Sequence, residues 1–174
     1  MAAREFDIIV YGASGHTGRL VAEYLERRYG ADGALKWAAA GRDRAKTAAA
    51  LKDAGVAREV PIVVADASDA ASVEAMAARA RVVLTTVGPY QLYGEPLIKA
   101  AIEHGTDYVD LCGEPAWMRR MIDRYDTAAK SSGARIVFSC GFDSIPFDLG
   151  VWFLQQEAMK EFGEPATQVK GLVR

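Results

Sequence analysis

The 174-residue chain is poor in the groups that several kinds of chemistry require. It has two cysteines, Cys112 and Cys140, too few for a disulfide framework and without the paired spacing of a zinc site. It has two histidines, His16 and His104, and no His/Cys/carboxylate grouping at metal-ligand spacing, so no metal is expected. Its 21 basic and 23 acidic residues give a net charge of −2, which supplies no positive field for a nucleic-acid partner. No apolar run approaches the ~20 residues that span a bilayer. Arg4, Glu5 and Asp7 interrupt the region where a signal peptide would be apolar. The reading is a cytoplasmic protein without a transmembrane segment.

A hydrophobic fraction of 51% is ample for a core, and the length fits one domain. Strand and helix signals alternate along the chain, the signature of an α/β protein. The expectation is a Rossmann-type, doubly wound, mostly parallel sheet with helices on both faces. Strands are predicted at Asp7–Tyr11, Trp37–Ala40, Pro61–Ala65, Arg81–Thr86, Thr106–Asp110 and Arg135–Ser139. A turn is predicted at Gly30–Gly33, and Asp43 and Asp69 are predicted to cap helices. Leu20, Val21, Tyr24 and Leu25 read as the buried face of the first helix. Trp117, Met118, Met121, Ile122 and Tyr125 read as a core stripe of a later one. A helix from about Phe147 to Phe162 is apolar nearly all round in its first half, which calls for cover on more than one side. Gln168–Arg174 reads as the start of another strand. The expected organisation is a nucleotide-binding domain over 1–150, followed by 151–174 leading into a second domain, for substrate or dimerisation, that this chain lacks.

The stretch that organises the chain is Gly12-Ala13-Ser14-Gly15-His16-Thr17-Gly18, between the first strand and the first helix. Gly12 suits a tight turn, Gly15 lets the backbone approach a pyrophosphate, and Gly18 lets helix and strand pack closely. Free N–H groups at the helix start, with the helix dipole behind them, favour phosphate there. The spacing is GxxGxxG rather than GxGxxG. Ligands of such folds lie outside the carboxyl ends of the strands, so the other turns at that edge are the remaining candidates. Arg42, with Arg44, ends the second strand and suits the 2′-phosphate of NADP; Asp43 as a ribose-binding acid is the alternative. Asp66 is placed to reach the adenine edge or simply to bond its own turn. Gly88, Pro89 and Tyr90 follow the fourth strand on the nicotinamide side, and Tyr90 and Asp143 are the candidate proton donors. Asp110, Cys112, Glu114 and Ser144 are further polar groups at the same edge, with loop capping as the simpler role for the acids. No tyrosine is followed four residues later by lysine, since Tyr125 and Lys130 miss by one. The spacing of the acid–base pair of short-chain dehydrogenases is therefore missing from this sequence, which speaks against that mechanism.

Five stretches recur together: Gly-Ala-Ser-Gly-His-Thr-Gly at 12–18, Ala-Gly-Arg at 40–42, Gly-Pro-Tyr at 88–90, Tyr-Val-Asp-Leu-Cys-Gly-Glu at 108–114 and Gly-Phe-Asp-Ser-Ile-Pro at 141–146. In order and spacing the set resembles the amino-terminal domain of the saccharopine dehydrogenase-like family, closest to its actinobacterial trans-acting enoyl reductase branch. The resemblance implies an NADP-dependent oxidoreductase of roughly twice this length or more, with a second domain closing over the nicotinamide. It implies hydride delivery to the carbon–carbon double bond of a lipid or polyketide intermediate, free or presented on a carrier. It leaves open a homodimer formed through the second domain. Gly-Phe-Asp-Ser-Ile-Pro differs from the Gly-Leu-Asp-Pro-Gly type turn of the lysine-pathway enzymes, which speaks against saccharopine as substrate. The alternative reading is an NADP-binding sensor without turnover.

Overall fold

The computed structural model describes residues 4–30, 33, 35–56 and 59–173. Six strands, β1 (Phe6–Tyr11), β2 (Trp37–Gly41), β3 (Ile62–Val64), β4 (Ala80–Thr85), β5 (Asp107–Asp110) and β6 (Ile136–Val137), alternate with six helices. The helices are α1 (His16–Tyr29), α2 (Arg44–Asp53), α3 (Ala70–Ala77), α4 (Tyr90–His104), α5 (Pro115–Ser132) and α6 (Ile145–Phe162). All the pairings are parallel and the strand order is β3-β2-β1-β4-β5-β6. The order reverses between β1 and β4, which opens a crevice at their carboxyl ends.

Alternate side chains of each strand feed two cores. Val10 and Ala39 meet Ala22 and Leu25 of α1 and Leu51 of α2. Ile9, Tyr11, Val83 and Tyr108 point the other way and meet Val73 of α3, Leu97 of α4 and Trp117 of α5. The α4–α5 contact is close because Gly94 has no side chain: a Cβ there would lie 2.5 Å from the Trp117 ring. Asp43 and Asp69 cap α2 and α3, accepting from the N–H groups of Lys46 and Ala71. His104 ends α4, and the Arg4 guanidinium donates to the carbonyls of Ala78 and His104, tying together the ends of α3 and α4.

Several expectations need correction. The buried face of α1 is Gly18, Ala22 and Leu25, whereas Leu20 and Tyr24 are more than half exposed. Small residues set that contact, because the helix seats against backbone, and hydropathy does not register them. In α5, Ile122 is 43% exposed, whereas Trp117 and Met121 are buried. Strand β6 is two residues long: beyond Val137 the N–H of Ser139 bonds the Asp110 carboxylate and the N–H of Cys140 bonds the Asp110 carbonyl, which ends the ladder. Residues 168–173 form no strand. Gln155 of α6 grips both the N–H and the carbonyl of Ala166, and the following chain returns along α6, where Val169 and Leu172 share an open groove with Phe147 and Leu154. None of the α6 residues is buried, so the cover expected for its apolar first half is not supplied by the described residues. Of the turn expected at Gly30–Gly33, residues 31 and 32 lie outside the described residues; Gly30 ends α1 with φ 62°.

Candidate functional site

The carboxyl edge of the sheet gathers the polar turns. Gly12 leaves β1 with φ +90°, a conformation open to glycine. A Cβ on it would also lie 2.6 Å from the Thr86 hydroxyl. Gly18 is tighter still, since a Cβ would sit 2.2 Å from the Gly12 carbonyl oxygen and 2.8 Å from the Ala13 Cα. The N–H of Gly15 bonds the Gly12 carbonyl, closing the turn, and no side chain caps α1. The N–H groups of His16, Thr17 and Gly18 therefore have no acceptor among the described residues. A Cβ on Gly15 would meet only the Gly12 oxygen at 3.3 Å, so the backbone opens onto the groove there. Ala13 is buried beneath the loop and Ser14 is half-buried, its hydroxyl turned toward the end of β2.

At the end of β2, Arg42 is exposed and has no hydrogen bond or ion pair among the described residues. Asp43 next to it is engaged as the cap of α2, its Oδ1 2.9 Å from the N–H of Lys46. Arg44 points away from this edge and donates to the Ile62 carbonyl at 2.7 Å, so the two arginines are not brought together. Asp66, ending β3, accepts from the N–H and the hydroxyl of Ser68, which hold its carboxyl below the usual range with a smaller contribution from the charge of Arg42.

On the other side of the crevice, Gly88 and Pro89 are exposed and Tyr90 is buried. The Tyr90 hydroxyl donates to the Thr85 carbonyl at 3.1 Å and accepts from the N–H of Leu111. Burial, above all, pushes its pKa up to about 12. Asp110, 2% exposed, accepts from the Tyr108 hydroxyl at 2.6 Å and from the N–H groups of Cys112 and Ser139. Burial raises its pKa against those hydrogen bonds. Ser139 has φ 58°, uncommon for a residue with a side chain, and its hydroxyl donates to the Cys112 carbonyl. The thiols are poor nucleophiles: burial pushes Cys112 up to about 11 and raises Cys140. A cleft of about 390 Å³ lies between the first turn of α1 and the β6–α6 turn. Its walls include His16, Thr17, Leu20, Val109, Phe142 and Asp143. It thus places the exposed Asp143 across from the glycine loop, a juxtaposition that sequence spacing of more than a hundred residues conceals.

Six parallel strands in this order, with an uncapped helix N-terminus at the point of reversal, define a Rossmann-type nucleotide-binding domain. The chain belongs to the saccharopine dehydrogenase NADP binding domain family, whose model matches residues 8–137. NADP is accordingly its cofactor class. A trans-acting enoyl reductase of Mycobacterium ulcerans is 48% identical over 161 residues, covering 92% of this chain and 38% of its own. A provisionally named enoyl reductase of the same kind from Mycobacterium tuberculosis is 48% identical over 172 residues, 98% of this chain and 40% of its own. The chain thus spans about two fifths of the length of these relatives. Among solved structures, apo saccharopine dehydrogenase (L-Glu forming) of Saccharomyces cerevisiae aligns with TM-score 0.69 at 20% identity, covering 89% of this chain and 32% of that one. Citrobacter triphenylmethane reductase complexed with NADP(H) aligns with TM-score 0.55 at 23% identity, covering 76% and 48%. These two likenesses show the fold. No helix among the described residues is long and apolar enough to cross a membrane.

Proposed function

We propose that the chain holds NADPH along the carboxyl edge of its sheet and serves as the cofactor-binding part of an enoyl reductase. The observation that carries this reading is the α1 N-terminus, where three N–H groups without acceptors lie beside glycines packed too closely for any Cβ. A pyrophosphate there would complete hydrogen bonds that the chain leaves unmade. Ala13 and Ser14 would support the loop, and Arg42 would meet the 2′-phosphate as a planar, permanent cation. Asp66 would stand beside the adenosine half. Arg44, engaged with Ile62, is withdrawn from that role. Gly88 and Pro89 would face the nicotinamide ribose.

Bound NADPH supplies the hydride; the chain's residues bind, orient and exclude water. The nicotinamide half would lie toward the cleft between His16, Thr17 and Asp143, whose apolar wall includes Leu20, Val109 and Phe142. In that arrangement Tyr90 acts as a brace, its proton bonded to a backbone carbonyl. Asp143 is the better placed of the two candidate proton donors, because it is exposed at the cleft. The substrate proposed is an enoyl group of a lipid or polyketide intermediate, following the names of the relatives. A carrier-bound form, a homodimer and a cytoplasmic setting belong to the same proposal. Titration of the chain with NADPH and NADH tests cofactor binding. NADPH oxidation by a protein of the relatives' full length, given an enoyl thioester, tests the reaction, and no oxidation would refute it.

A further inference from the structure

Helix α4 begins with a difficulty. Its N-cap is Pro89, which has no side-chain acceptor, so the first N–H groups of the helix must be satisfied from elsewhere. Glu114, after β5, does this: its two carboxylate oxygens accept from the N–H groups of Tyr90 and Gln91, each at 2.8 Å. An anion seated on a helix N-terminus is favoured by the dipole as well as by the two charge-assisted bonds. The same turn is pinned a second time, because the Tyr90 hydroxyl bridges the Thr85 carbonyl and the Leu111 N–H. The turn after β5 is itself fixed, with the Glu114 N–H on the Cys112 sulfur and the Cys112 N–H on Asp110. The Pro89 carbonyl accepts from the N–H groups of Leu92 and Tyr93, which ties the exposed Gly88–Pro89 segment to the first turn of α4, and that turn takes its place from the β5–α5 turn.

We infer that Glu114 is a positioning residue for the nicotinamide side of the cofactor site. It holds the Gly88–Tyr90 turn in register with the glycine loop across the crevice. It also fills the α4 N-terminus, so that the α1 N-terminus is left to take the pyrophosphate. The inference rests on the dinucleotide reading above and adds a division of labour. The adenosine half depends on Arg42 and the glycine loop, and the nicotinamide half depends on a carboxylate 24 residues beyond Tyr90.

The test compares NADPH with adenosine 2′,5′-bisphosphate, which lacks the nicotinamide half, on wild type, Glu114→Ala and Glu114→Gln. Each chain is also melted thermally. Glu114→Ala should weaken NADPH by roughly 5- to 30-fold, the scale of a lost helix cap, and leave the bisphosphate within about twofold of wild type. Glu114→Gln keeps one acceptor oxygen and should fall between the two. Unchanged NADPH affinity in both variants would overturn the inference. So would equal losses for both ligands in the Gln variant, which is the mark of general destabilisation. A wild-type chain that binds neither ligand would overturn the dinucleotide reading itself.

Discussion

Gly18→Ala should uncouple α1 from the sheet. The added Cβ would lie 2.2 Å from the Gly12 oxygen and 2.8 Å from both the Gly12 carbonyl carbon and the Ala13 Cα. All three are backbone atoms and cannot swing aside. Ordinary contact distances to carbon are about 3.5–4.0 Å, so α1 must retreat by roughly 1 Å. Ala22 and Leu25, now 0% and 5% exposed, would lose part of their contact with Val10 and Ala39. Overpacking of this kind costs about 1–3 kcal/mol, or roughly 2–12 °C in melting temperature for a chain of this size. The assay is urea and thermal unfolding beside Gly113→Ala, where an added Cβ meets nothing within 4 Å. That control should stay within about 0.5 kcal/mol of wild type. NADPH affinity should fall with stability in Gly18→Ala, because the free N–H groups move with the helix. A Gly18→Ala chain as stable as the control would refute the packing argument.

Two other substitutions separate structure from recognition. Asp43→Ala should cost about 1 kcal/mol through the lost α2 cap while leaving the preference for NADPH over NADH unchanged; a shifted preference would make Asp43 the ribose partner. Asp110→Asn tests the buried carboxyl through pH. The native state raises the Asp110 pKa, so it binds that proton more tightly than the unfolded chain does. The contribution of Asp110 is then fully present below the ordinary carboxylate range and is lost as pH rises through the raised native value. The stability of wild type minus that of Asp110→Asn, from urea unfolding between about pH 4 and pH 8, should therefore decline with rising pH. A difference that grows with pH would contradict the burial argument.

The strands were legible because buried parallel strands read as apolar runs between turn residues, and the Asp43 and Asp69 caps because capping chemistry is local. The glycine loop was legible in its setting, and its spacing carried the close approach of Gly18 to Gly12. What escaped the sequence depends on contacts distant along the chain. The face of α1 is chosen by Gly18 and Ala22, which carry little hydropathic signal, while Leu20 turns into the cleft. Arg44 is drawn off by a carbonyl of β3, and Tyr90 by the end of β4 and the turn after β5. Glu114 showed as one acid among several, because its partners are the first N–H groups of α4, more than twenty residues earlier in the chain. The left-handed Ser139 has no local residue signature and is held by Asp110 and Cys112.

Binding of NADPH at this edge, and its selection by Arg42, can be measured directly. Calorimetric titration of the chain with NADPH and NADH at equal ionic strength, repeated on Arg42→Ala, tests both parts. NADPH should bind well ahead of NADH, and its affinity should fall by at least about tenfold without Arg42, the scale of a lost hydrogen bond to a charged group. NADH bound as tightly as NADPH, or an Arg42→Ala chain with undiminished preference, would contradict that selection.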